Sequence, residues 1–225
     1  MIWEIGDRRF ESCNVIYKVD GEYGDLSNMS NGHPLTVNGV TVKSSEALYQ
    51  LCKYPSQPDW QREILDAPHA MQCKMKARKA GRPKEVRADW HQVNVGLMRW
   101  VLRVKLACHP QRMAALLRWS GQAPFVELSR KDAFWGAIEV KEGLLRGENH
   151  LGRLLTELRE AVRAKFAEGK EADLLKVAPP AVPDFLLLGE PITDVTGTGS
   201  FGNAKPHREP RPAPVPAPAA GGGGS

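Results

Sequence analysis

Residues Lys43–Tyr54, KSSEALYQLCKY, narrow the folds open to this chain more than any other stretch. They read as a helix. Ser44 or Ser45 can cap it, because a short hydroxyl accepts from an orphan N–H of the first turn. Glu46, Gln50 and Lys53 fall at i, i+4 and i+7 and share one face, whereas Leu48, Leu51 and Cys52 form an apolar stripe on the other. Immediately upstream, LTVNGVTV (35–42) reads as a hairpin, since Asn38-Gly39 tolerates the positive φ of a tight reversal. A hairpin that hands the chain straight to an amphipathic helix calls for sheet and helix in one packed unit. The row of carboxylate, amide and ammonium is then either a solvated face or a set of functional groups.

The rest of the chain supplies mostly helices. Val15, Tyr17 and Val19 alternate as in a strand that ends at Asp20-Gly21, and Gly24–Met29 reads as a polar turn anchored by Leu26 and Met29. Pro55 and Pro58 stop the Lys43–Tyr54 helix. Asp59 then caps a short helix over Asp59–Ala67, and His69–Lys79 is helical before a basic Gly81-Arg82-Pro83 loop. Asp89, with Gln92 in capping-box position, opens a long helix through Leu106 that His109-Pro110 ends. Gln111–Trp119 is another helix, Phe125–Leu128 a short strand, and SRKDAFWGA a polar loop carrying Asp132. Asn149–Phe166 has a clear stripe of Leu151, Leu154, Leu155, Leu158 and Val162. This order predicts a helix-rich α+β single domain over residues 1–168. A C-terminal arm follows over 169–190, with an apolar patch in DFLLLGEP. A Pro- and Gly-rich tail over 191–225 is too poor in apolar residues to build a core.

The net charge is 31 − 26 = +5, and its distribution is more telling than its size. From Lys74 to Arg87, seven basic residues face one acid, Glu85. That run would attract a phosphate-rich ligand, or else form a solvated basic loop. The four cysteines are scattered without a CxxC, so neither a zinc site nor a disulfide framework is indicated, and no metal or cofactor is expected. No apolar run reaches the roughly 18 residues of a membrane span, and the N-terminus lacks a signal-peptide core, so no membrane partner and a reducing, cytoplasmic setting are expected. P-loop, GxGxxG, HExxH and GxSxG motifs are absent from the sequence. What remains are polar and aromatic residues in or beside loops between good core elements: Asn28, Glu46, Lys53, Asp132, Trp135 and Asn149.

These residues carry a resemblance. LSNM (Leu26–Met29), SSEALYQLCKY (Ser44–Tyr54), CKMK (Cys73–Lys76), RADW with LMRWVLRVKL (Arg87–Trp90 and Leu97–Leu106), VELSRKDAFWGA (Val126–Ala137) and GENHLGRLLTELRE (Gly147–Glu160) resemble, in order, the motifs of the NADAR, or YbiA-like, family. The chain departs from that pattern at Cys73, where Ala is usual, at Ala77 before Arg78, where Gly is usual, and at Ala137 after Trp135-Gly136. The resemblance implies an N-glycosidase acting on ribosides. The substrate is either ADP-ribose on guanine in DNA, the adduct of a DarT-type toxin encoded nearby, or a riboflavin-pathway intermediate. CKMK, the basic run and Met98–Trp100 look more like the toxin-associated branch, and so like an antitoxin. A non-catalytic ADP-ribose-binding module, recognising free ADP-ribosyl nucleotide, is the third reading.

On that resemblance Glu46 is the carboxylate that stabilises positive charge at the anomeric carbon or activates water, with Asp132 as the second. Lys53 pairs with a carboxylate, binds a diphosphate, or attacks the anomeric carbon as a desolvated amine. Lys74 competes for those roles. Trp135, followed by Gly136, offers a stacking face, and Trp90 a second wall or simply core. Asn28 and Asn149 bond ribose hydroxyls or fix loops. Gly152 opens the last helix to a phosphate or permits tight packing.

Overall fold

The computed structural model describes residues 1–78 and 86–202. The basic Gly81-Arg82-Pro83 loop and the last stretch of the Pro/Gly-rich tail lie outside the described residues. In chain order the elements are β1 (Ile2–Ile5), β2 (Arg8–Phe10), β3 (Asn14–Ile16), a 3-10 turn at Gly24–Leu26, β4 (Leu35–Val37) and β5 (Val40–Val42). Then come α1 (Ser45–Leu51), α2 (Pro58–Leu65), α3 (Ala70–Arg78), α4 (Trp90–Cys108) and α5 (Pro110–Trp119). They are followed by β6 (Phe125–Glu127), β7 (Ile138–Lys141), β8 (Leu144–Arg146) and α6 (His150–Ala167). The arm carries a second 3-10 turn at Glu171–Leu175 and four two-residue strands: β9 (Lys176–Val177), β10 (Leu186–Leu187), β11 (Glu190–Pro191) and β12 (Val195–Thr196). The architecture is helix-rich α+β, with six α-helices and short strands among the described residues.

The main core lies among α1, α4, α5 and α6. Leu48, Leu97, Val101, Leu117, Leu155 and Val162 are buried there together. A smaller core of Trp3, Val126, Ala137 and Leu145 sits under a four-stranded sheet of order β2-β1-β8-β7. β6 joins the two cores. It pairs in parallel with β3, turns Phe125 into the main core and Val126 into the smaller one, and leaves Glu127 at its end. The β4–β5 hairpin pairs Val37 with Val40 around Asn38 and Gly39, both at positive φ, as the Asn-Gly pair demands.

Two caps differ from the sequence expectation. Asp59 lies inside the first turn of α2 rather than at its cap, because Pro58 already opens the helix. Asp89 is at the N-cap of α4 but makes no side-chain cap bond. Its carboxylate is taken by Arg87, whose Nε and NH2 donate to it. The arm also runs beyond 190. Ile192 and Val195 are buried, β12 pairs with β9, and Asn38 clasps Pro191 and Thr193 through its side-chain amide. Earlier in the arm, Gln61 donates to Leu186 O and accepts from Leu188 N, and Phe185 packs edge-on against Trp100. No helix of the described residues is long and apolar enough to cross a membrane.

Candidate active site

The polar face of α1 meets neither bulk solvent nor core. It borders a cleft of about 520 Å³ walled by α1, α3, the start of α4, the end of β6 and the loop after it. Ser44 caps α1, its Oγ accepting from Ala47 N at 3.1 Å. The Glu46 N–H donates to Asn28 O at 3.1 Å, which ties the turn after Gly24–Leu26 to the head of the helix. Glu46 is only 6% exposed. Its Oε1 accepts from Gln50 Nε2 at 2.7 Å, and Lys74 Nζ of α3 stands 3.8 Å from the same oxygen. A carboxylate with one ammonium across the cleft and one amide along its own helix is held in a single direction.

Lys53 lies just past the C-cap of α1. Its Nζ is 5.1 Å from the centre of the Trp90 ring and 5.7 Å from that of Tyr49, within cation–π range. Burial lowers its pKa to about 8. Glu46 opposes that shift, while Arg78 and Lys74 add to it. Tyr49 is packed between Trp90, at 5.0 Å, and Trp135, edge-on at 5.4 Å, so the three rings line one side of the cleft. Trp90 is thus both partly buried and part of the wall.

Asp132 borders the cleft from the loop, where its Oδ1 also accepts from Trp135 N at 2.9 Å and Phe134 N at 3.2 Å. Those bonds make it the acid that shapes the Trp135 turn. Of the residues expected to meet a ligand, three are placed in the scaffold. Asn149 is fully buried, at positive φ, with its amide bonded to Phe125 O and Glu127 N of β6. A Cβ on Gly152 would stand 2.2 Å from Phe125 O, and one on Gly136 2.4 Å from Glu127 O, so both glycines serve close packing. Asn28, Glu46, Lys53, Lys74, Trp90, Asp132 and Trp135 are brought together on the cleft. Of the branch-like motifs, Lys74 and Met98 reach it, whereas Cys73 and Trp100 are buried in the core and Arg99 pairs with Glu157.

Sequence reasoning missed Glu127, Tyr49 and Asn94, all on the cleft, which Arg78 of the basic run also borders. The one sequence signal for Glu127 was its place as the single charged residue of the short strand Phe125–Leu128. Burial raises its pKa to about 7; Glu46 adds to the rise, Lys74 opposes it, and Asp132 adds a smaller push. Three carboxamide oxygens beside the cleft, Asn28 Oδ1, Gln50 Oε1 and Asn94 Oδ1, have no donor among the described residues. They are buried acceptors set just behind the cleft wall, beside the carboxylate of Glu46. A cleft that combines cations, carboxylates and flat rings suits a nucleotide-like riboside.

The NADAR domain model matches residues 16–163, which contain every one of these side chains. The N-glycosidase YbiA of Shigella boydii is 35% identical over 144 residues, 64% of this chain and 84% of that protein. The N-glycosidase Npun_R5314 of Nostoc punctiforme is 33% identical over 149 residues, 65% of this chain and 90% of that one. The solution structure of Escherichia coli YbiA superposes with a TM-score of 0.59 at 32% identity, covering 70% of this chain and 89% of that one. With the cleft built from the segments these proteins share, the chain belongs to the NADAR domain family and is an N-glycosidase.

Proposed function

We propose that this N-glycosidase removes ADP-ribose from guanine bases in DNA, reversing the adduct of a DarT-type toxin and so acting as its antitoxin. The observation that carries the reading is the composition of the cleft. Glu46 stands opposite Lys74, with Lys53 and Arg78 on the same cleft, and Trp90 and Trp135 form its flat wall. An ADP-ribosyl adduct presents the matching parts: a diphosphate for the cations, ribose for the carboxylates, and a base for the rings. The basic residues that begin with Lys74 add attraction for a DNA backbone.

In this reading the Glu46 carboxylate stabilises the positive charge that builds at the anomeric carbon as the bond to the base lengthens. Lys53, desolvated against the rings of Tyr49 and Trp90, supplies an amine that attacks that carbon as the base leaves with the bonding electron pair. The sugar ring then opens to an iminium on the lysine, and water hydrolyses it, returning the free sugar and the amine.

The test is incubation with a guanine-ADP-ribosylated oligonucleotide and measurement of free ADP-ribose. Release at many turnovers is expected. Turnover of a riboflavin-pathway intermediate without release from the oligonucleotide would move the substrate to metabolism. Binding of ADP-ribose with neither activity would make the protein a recognition module.

A further inference from the structure

Three carboxyls border the cleft, and they differ in what holds them. Glu46 accepts from Gln50 and faces Lys74, an arrangement that serves a charged acceptor. Asp132 accepts from two backbone N–H groups of its own loop. The Glu127 carboxyl makes no hydrogen bond or ion pair among the described residues, although its backbone is fixed on both sides. Its N–H donates to Asn149 Oδ1 at 3.0 Å, and its carbonyl accepts from Ala137 N at 2.8 Å. A carboxyl that is partly buried, close to two other acids and offered no donor is favoured in its neutral form. Such a group is useful in this reaction, because the departing base needs a proton on the nitrogen that leaves the sugar.

We propose that Glu127 is the general acid of this glycosidase, delivering its proton to the leaving nitrogen of the base. As the bond between that nitrogen and the anomeric carbon breaks, its electron pair passes to the nitrogen, which takes the Glu127 proton. The water whose hydroxyl ends on the sugar gives up its other proton, and this restores the carboxyl. Two acids thereby divide the work: Glu46 meets the positive charge, and Glu127 meets the leaving group. The groups facing Glu127 are Glu46 of α1, Lys74 of α3 and Asp132 of the loop. Burial raises its pKa to about 7, the two acids add to that rise, and the lysine opposes it. The role rests on the bond cleavage proposed above, so one measurement must need no substrate.

In the free protein, carbon-detected NMR of the glutamate carboxyls should show one group titrating near neutrality, and that signal should vanish in Glu127→Gln. Glutamates that all titrate in the ordinary range near 4 would overturn the proposal whatever the substrate. With the oligonucleotide adduct, single-turnover rates of the wild type should fall about tenfold per pH unit on the alkaline side. Glu127→Gln should lose about 10²–10³-fold at pH 7 and lose that alkaline limb, while Glu127→Asp keeps the limb at a reduced rate. A folded Glu127→Gln, checked by its melting temperature, that retains either the wild-type rate or the alkaline limb would overturn it. Absence of release by the wild type, with the neutral-range titration intact, would count against the DNA substrate and leave the acid in place.

Discussion

Asn149 clasps the strand that carries Glu127: its Oδ1 accepts from Glu127 N at 3.0 Å while its Nδ2 donates to Phe125 O at 2.8 Å. The next turn of α6 brings Gly152 against the same carbonyl, where a Cβ would stand 2.2 Å away. Helix and strand backbones thus touch, and neither can give. Gly152→Ala should therefore cost about 3 kcal/mol or more, at the upper end of overpacking. Asn149→Asp, which cannot donate to Phe125 O, should cost about 1–3 kcal/mol. Urea midpoints measure both, and a Gly152→Ala midpoint equal to wild type would mean that this contact relaxes freely.

Glu46→Gln keeps an oxygen to accept from Gln50 Nε2 and so should preserve the packing of α1. It removes the negative charge and should slow turnover by about 10²–10⁴-fold. The melting temperature should stay within a few degrees of wild type. An unchanged turnover rate would take Glu46 out of the mechanism.

Lys53 gives the reaction an acid limb. Its pKa of about 8 leaves a fraction on the order of a tenth as free amine at pH 7, and that fraction grows with pH. With Lys53 needed as the free amine and Glu127 needed in its protonated form, kcat/KM rises with pH up to about 7, is level between about 7 and 8, and falls above. Cyanoborohydride during turnover should leave a sugar adduct on Lys53 by mass spectrometry, and Lys53→Met should abolish both rate and adduct. Turnover without any adduct, and with no acid limb, would assign Lys53 to charge alone.

Much of this was readable from the residues, and what was not has physical reasons. The hairpin, the capped α1 and the stripe of α6 follow from local chemistry: Asn38-Gly39, Ser44 and the leucine spacing. Strands β1, β7 and β8 were not anticipated, because a four-stranded sheet assembled from both ends of the domain depends on pairing such as Trp3 with Leu145. Glu46 and Lys53 were found because they share a helix face. Glu127 was not, because its isolation from donors depends on where Asp132, Lys74 and Glu46 lie in space. Asn149 was drawn toward the ligand by its loop position, but a buried amide at positive φ spends its bonds on the backbone. Asp89 failed as a side-chain cap because Arg87, two residues away, competes for its carboxylate.

Lys105 holds the turn that presents Asn28. It is 2% exposed, and its Nζ donates to Asp25 O and Ser27 O. Lys105→Met strands the buried carbonyl of Ser27 and the part-buried one of Asp25 at about 1–3 kcal/mol each, so a loss on the order of 2–6 kcal/mol is expected. Burial lowers the lysine's pKa from 10.5 to about 7, with Asp25 opposing. Between those values the unfolded chain binds more protons than the folded one, so this lysine makes stability rise with pH there and fall as pH drops toward 7. Denaturation from pH 6.5 to 10 should show that rise in the wild type and a flatter profile in Lys105→Met. Equal slopes would show that Lys105 titrates alike in both states.

Asp132 should act on binding more than on chemistry. Its Oδ1 gathers the N–H groups of Phe134 and Trp135, and Trp135 in turn sits edge-on to Tyr49 at 5.4 Å. Asp132→Ala releases that turn and lets the ring leave the wall, whereas Asp132→Asn keeps an acceptor oxygen in place. A ring that stacks the base equally in ground and transition states contributes to KM and not to kcat. The alanine variant should therefore raise KM by about tenfold, in keeping with a stacking contribution of about 1–3 kcal/mol per base, while turnover stays within a few-fold of wild type. The asparagine variant should recover most of the lost affinity. If both variants instead turn over about a hundredfold more slowly with KM unchanged, the Asp132 charge belongs in the chemical step, beside Glu46.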